Sequence, residues 1–332
     1  MKKSVLYSNA LVKTYESKLL NADRVRRILA AADENDAARV LYECDYSANF
    51  IARGAFDLDG LLNDEMVKTV AFFQKMCADP SLATVVMRRY DFHNLKALLK
   101  EKYGEADAVE SVYPFGDFGV DKLRQVLKDE TYNDLPPVMA EAARAVKKLF
   151  AAGEPSGKQI DIELDVAMFK ETAAYVKKIK NVHIRQYFTA EADLKNIITA
   201  ARMRAHGFTR GEFAAQLVQG GNLDTEKLYG LFERAPDEIA QIFAATGYHG
   251  LIKELAVILS ENRPLSDFEV KADEFLFELS RVDKDNYFEA TPLFSWYIQK
   301  LAEIKTIKLI FVCKKNNIGN DLIRMILKPI YK

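Results

Sequence analysis

The chain has 332 residues, 49% of them apolar and 29% charged, which supports a sizeable core and allows two or three domains. Its 47 basic and 48 acidic residues nearly cancel, which excludes a global field able to hold nucleic acid or an anionic membrane and leaves only local patches. Three scattered cysteines, Cys44, Cys77 and Cys313, form no CxxC pair and read as small core residues in a reducing compartment.

The start, MKKSVLYSNALVKTYESK, carries no apolar run long enough for a signal sequence. Arg24-Val25-Arg26-Arg27 reads as a solvated helix face with an aliphatic back. In FDLDG, Asp57 and Asp59 read as caps of the helix that follows. Asp79-Pro80 is a strong start signal, an oxygen-bearing cap followed by proline at the first helical position. From there the sequence runs without a breaker to Gly104, a helix of roughly 36 Å at 1.5 Å per residue.

An alanine-rich helix over 137–152 is stopped by Gly153 with Pro155 beyond it. The stretch AAGEPSGKQ, 151–159, invites reading as a phosphate-binding loop. That loop needs glycine four spacers before Gly-Lys and a hydroxyl after it, whereas Ala152 and Gln159 occupy those places. A helix precedes it where a strand is required, so it reads as a linker. Ile160 to Leu164 is the nearest approach to a strand and reads equally as the lead into a helix.

From Asp165 a second long pattern places Val166, Phe169, Ala173, Val176 and Ile179 on one stripe and continues, with a bend near Asn181, to Gly207. Shorter helices are expected over 211–219, 225–234, 236–246 and 251–261. A third long helix begins at Pro292 and runs to Gly319, with Tyr297, Leu301, Ile304 and Ile307 on one face. The basic pair Lys314-Lys315 sits at its C-terminal end, where cations meet the negative pole of the helix. The longest apolar run, 309–313, is far short of the ~18–20 residues of a membrane span. The fold class is all-α.

The three long helices share a pattern of acid or amide, aliphatic, lysine, any residue, aliphatic. It occurs at Asn94-Leu95-Lys96, Asp193-Leu194-Lys195 and Glu303-Ile304-Lys305, each preceded by an aromatic and followed by a glycine. Spaced by about a third of the chain, these suggest three similar helical repeats, approximately residues 1–125, 126–220 and 221–332, with pseudo-threefold symmetry. The competing reading is ordinary amphipathic helix, with these six polar residues bonding between helices. Catalytic signals are missing: the four histidines make no H-E-x-x-H, and there is no G-x-S-x-G elbow and no Asp-Asp pair. No cofactor or metal is expected, and no enzyme emerges.

The segment from Pro292, with Tyr297, Lys300, Glu303-Ile304-Lys305 and Ile323-Arg324, resembles the C-terminal part of the C subunit (the AC39-like d subunit of eukaryotes) of the V-type and A-type rotary ATPases. The middle unit is similar to that family's through Ile184-Arg185, Asp193-Leu194, Asn196 and Arg202, and the first through RRYDFHNLKALLK. Met325-Ile326 departs from the charged pair many members carry there.

The resemblance implies a funnel-like socket and a non-catalytic rotor subunit of the central stalk, cytoplasmic and peripherally attached to the membrane through the complex. Its partners would be the central axle subunits of the ATPase head and the membrane proteolipid ring, with no nucleic acid and no nucleotide bound directly. Asn94, Lys96, Asp193, Lys195, Glu303 and Lys305 are then candidate partner-interface or inter-helix residues. A helical scaffold unrelated to rotary ATPases is the alternative, separated from this reading by the partner recovered.

Overall fold

A computed structural model describes residues 4–46, 56–103, 112–153 and 156–332. Among the described residues there are α-helices and short 3-10 turns and no strands. In chain order the helices are α1 (Val5–Glu16), α2 (Ala22–Ala30), α3 (Glu34–Tyr42), α4 (Leu58–Met76), α5 (Pro80–Lys102), α6 (Val120–Asp129), α7 (Pro137–Ala151) and α8 (Gly157–Val176). They continue as α9 (Val182–Ala205), α10 (Arg210–Ala214), α11 (Thr225–Glu233), α12 (Pro236–Ile242), α13 (His249–Ser260), α14 (Ser266–Ser280), α15 (Thr291–Lys315) and α16 (Asn320–Ile326).

The start signals act through bonds to orphan helix amides. Asp79 accepts from the N–H groups of Ser81 and Leu82, and Asp57 accepts from Gly60. Asn181 accepts from Ile184 and so opens a new helix where the sequence suggests a bend. The second long pattern is therefore two helices, α8 and α9, and α8 starts at Gly157 rather than at Asp165. Ile160 to Leu164 is helical. Gly157 and Lys158 form the first turn of α8, capped by Ser156, so that part of the expected linker is helix, while residues 154 and 155 lie outside the described set. Gly153 follows α7 at φ +80°.

The chain forms two compact units, one of residues 1–78 with 280–332 and one of residues 79–279. In the first, α2, α3 and α16 pack their apolar faces on α15 around Ile28, Leu41, Leu61, Ile307 and Ile310. Toward the N-terminal end of α15, α1 and α4 cover it, with the Phe73 and Tyr297 rings 4.6 Å apart. Among the described residues the second unit holds two large cores and a small apolar cluster of Phe169, Ala192 and Val218. One gathers α5 to α8 around Leu95, Leu99, Leu123, Met139 and Leu164. The other gathers α9 to α14 around Ile197, Phe213, Leu231, Phe243 and Phe268. Each core thus contains one long helix.

Candidate functional site

A 23- to 25-residue helix that crosses a core must bury polar groups only where they find partners. In α5 these are Asp91 and Asn94, both fully buried, and Lys100, which reaches Asp161 on α8 at 2.9 Å. Asn94 pairs with Tyr113 in both directions: its Oδ1 accepts the Tyr113 N–H at 2.8 Å and its Nδ2 donates to the Tyr113 carbonyl at 3.0 Å. One turn earlier, Asp91 accepts from the backbone N–H of Phe118 at 2.9 Å and of Asp117 at 3.1 Å. Gly116 lies between these contacts at φ +138°, and a Cβ there would stand 2.3 Å from Asp91 Oδ1.

The same construction recurs on α9. Asn196 pairs with Val218 in both directions at 2.9 and 3.0 Å. Asp193 accepts from the N–H groups of Leu223 at 2.9 Å and Asn222 at 3.1 Å, and from the Tyr248 hydroxyl at 2.8 Å. Gly221 holds the place of Gly116, with a Cβ there 2.1 Å from Asp193 Oδ1.

On α15 the acid is Glu303, fully buried. It accepts from the Leu20 N–H at 2.5 Å, the Tyr46 hydroxyl at 2.8 Å and Lys300 Nζ at 2.7 Å. Lys300 also lies 2.8 Å from Glu65 on α4. In all three cases the acid takes the amide of the residue just before a helix cap: Phe118 before Gly119 of α6, Leu223 before Asp224 of α11, Leu20 before Asn21 of α2. Matching by contact pairs Asp193 with Asp91, three residues earlier than Asn94 and on the same helix face.

Lys96 and Lys195 reach from α5 and α9 to one carboxylate on α8, Asp165, at 2.6 and 2.9 Å. They line a cavity of about 490 Å³ with Lys158, Asp161 and Arg202. Lys305 is exposed on α15 and joins no ion pair among the described residues. Of the six residues picked out by the repeat pattern, Asn94, Asp193 and Glu303 are thus tied inside their own units. Lys96 and Lys195 share one bridge, and Lys305 alone is presented outward. Sequence reading missed Asp91, Tyr46, Glu65 and Tyr248. A usable signal was present for the first: D-x-x-N occurs at 91–94 and again at 193–196.

Burial pushes the Asp91 carboxyl up to about 6, against the opposing pull of the Phe118 amide and Arg88. Burial also acts to raise Asp165, but Lys96 and Lys195 outweigh it and hold that carboxyl below its ordinary range. For Lys300 burial disfavours the charge, yet Glu303 and Glu65 overcome it and keep the ammonium protonated above its usual range. Burial, with Glu303 adding to it, moves the Tyr46 phenol well up. Asp91, Lys300 and Tyr46 lie in packed interiors, while Asp165 pairs with its lysines at the wall of the cavity. Among the described residues no group of three or more His, Cys, Asp or Glu is placed to hold a metal ion.

A family model described as ATP synthase (C/AC39) subunit matches residues 8–326. The C subunit of the V-type sodium ATPase of Enterococcus hirae is 20% identical over 97% of this chain and 98% of its own length. The C subunit of the A-type ATP synthase of Methanosarcina mazei is 23% identical, covering 96% of this chain and 91% of its own. The C subunit of the V-type ATP synthase of Thermus thermophilus is 22% identical over 74% and 76%.

Proposed function

Because the chain belongs to the ATP synthase (C/AC39) subunit family, we propose that it is a non-catalytic rotor subunit of the central stalk. In this reading it seats the central axle on the membrane proteolipid ring and passes torque between ATP turnover in the head and ion movement in the membrane. The observation that carries the proposal is the match over residues 8–326, which spans both compact units. Among the described residues no helix is long and apolar enough to cross a membrane, which fits a peripheral place in the complex.

The buried couplings favour the same role. A torque-bearing part must pass load without local yielding, and polar contacts inside a low-dielectric core are strong and directional. Glu303, Asp193 and Asp91 each fasten a neighbouring helix start to a long helix. The helices of 23, 24 and 25 residues each extend ~35 Å at 1.5 Å per residue, a length suited to linking separate surfaces. The recurrence supports the pseudo-threefold arrangement of repeats, and with it a socket around the axle, as part of the proposal.

Affinity isolation of the tagged chain from gently solubilised native membranes tests the reading. Recovery of head, axle and proteolipid components in one particle is expected. Recovery of the chain alone or with unrelated soluble proteins would overturn it.

A further inference from the structure

A short surface helix ordinarily turns one apolar side inward and a polar side to water. Helix α16 does not. Ile323 is buried in the core against α2 and α15, and Leu327 just past the helix joins it. Yet Leu322, Met325 and Ile326 on the remaining surface are 56%, 64% and 48% exposed. Ile318, in the turn leading to α16, and Val312 on the outer face of α15 are exposed as well. Scattered exposed apolar side chains need no explanation, but several on one seven-residue helix and its approach do.

The charge around them is mainly positive, with Asp59 of α4 paired to Lys308 at 3.1 Å. From residue 305 onward the sequence carries seven lysines and arginines against Asp321 alone, and Asp321 is already paired with Arg324 at 3.2 Å. Lys305, Lys308 and Lys315 share the exposed face of α15 with Leu309 and Val312. This local surplus stands out in a chain whose net charge is −1. The cover that suits such a surface is apolar within and anionic without. A bilayer bearing anionic headgroups has both properties, with acyl chains for the aliphatic tips and phosphates for the ammonium groups.

We propose that α16 and the outer face of the α15 C-terminal half form a surface that rests on anionic lipid, with Leu322, Met325 and Ile326 entering the headgroup region. This goes beyond the proposed rotor role but rests on it for the nearness of a membrane. The full chain should sediment with vesicles of 70% phosphatidylcholine and 30% phosphatidylglycerol far more than with phosphatidylcholine alone, and less as salt rises. Reversing Lys305 and Lys315 to Glu should weaken that binding by at least ~30-fold, from the worth of a basic residue near an anionic surface. Leu322→Gln with Met325→Gln should weaken it while leaving the unfolding midpoint unchanged, since both side chains are exposed.

Equal sedimentation with neutral and anionic vesicles, or binding untouched by either double variant, would overturn the proposal. A photo-crosslinker at Leu322 in the native complex separates the remaining possibility. Phospholipid adducts are expected, whereas adducts to another protein of the complex would assign the face to a protein partner. In that second case the recovered complex still upholds the rotor reading, so the two can fail separately.

Discussion

Gly116 lies against Asp91 so closely that a methyl group on its Cα would stand 2.3 Å from the carboxylate oxygen, and Gly221 stands in the same relation to Asp193 at 2.1 Å. Each glycine lets a loop turn its amides onto a buried acid. Alanine at 116 would meet the carboxylate and also be strained by the backbone, which lies at φ +138°. Gly116→Ala is expected to cost about 2–4 kcal/mol and Gly221→Ala about 1–3 kcal/mol. Urea unfolding of both variants checks this, and a loss under about 0.5 kcal/mol at either place would show that the acid is free to move.

Asp91 should titrate with a midpoint of about 6 in the folded protein. The sign follows from a folded value above the unfolded one of roughly 3.9. The contribution to stability is full below the unfolded value and is lost as pH rises through about 6, a change of the order of 3 kcal/mol. Carboxyl carbon NMR reads the midpoint directly. Comparing wild type with Asp91→Asn, the part of the stability change between pH 4 and 7 that belongs to this group should disappear in the variant.

Asp165 is the opposite case. Its depressed value means that its stabilisation is present above the ordinary carboxylate range and is lost as pH falls through the folded value. Lys195 is 39% exposed and Lys96 17%, so solvent screens part of the bridge. Asp165→Asn is expected to cost about 1–2 kcal/mol at pH 7 and progressively less toward pH 2. Chemical denaturation at several pH values measures the trend.

Lys300 stands between Glu65 and Glu303, with all three side chains almost wholly buried. Lys300→Met would leave two carboxylates without their cation, which typically costs about 3–5 kcal/mol. Adding Glu65→Gln and Glu303→Gln removes the stranded charges and should recover at least half of that loss. Thermal and urea unfolding of the single and triple variants decide whether the charge or the packing matters more.

Lys305→Glu is expected to shift stability by no more than about 0.5 kcal/mol, as exposed substitutions usually do, while weakening assembly into the membrane complex. Glu303→Lys should instead prevent folding of the unit it anchors, because it would bury two cations together. Circular dichroism alongside affinity isolation separates the two outcomes.

The long helices were legible because their starts carry local chemistry. Asp79-Pro80 and the proline at 292 announce α5 and α15 whatever lies around them. Asn181 was legible only as a bend, since apolar spacing continues across it and its side-chain bond to Ile184 is what divides α8 from α9. By its contacts Asp91, rather than Asn94, corresponds to Asp193, and residues three apart share a helix face that the sequence pattern alone does not tell apart. The partners of the buried acids were not legible. They are backbone amides 26 to 30 residues downstream for Asp91 and Asp193 and 283 residues upstream for Glu303, and a backbone amide has no letter of its own.

Lys314 closes a different distance. Expected to meet the C-terminal pole of its own helix, it instead donates to the carbonyls of Ile28, Leu29 and Ala31, which end α2. The lysine that caps this early helix is encoded more than 280 residues after it. At the ~5–20 residues per second of synthesis, α2 waits on the order of fifteen seconds to a minute for its cap and for the α15 core. The last residue of the unit of residues 79–279 is made 35 residues before Lys314, about 2–7 s earlier at that rate. On the ribosome the inserted unit is therefore ready first, and the segment that begins the chain is among the last to find its place.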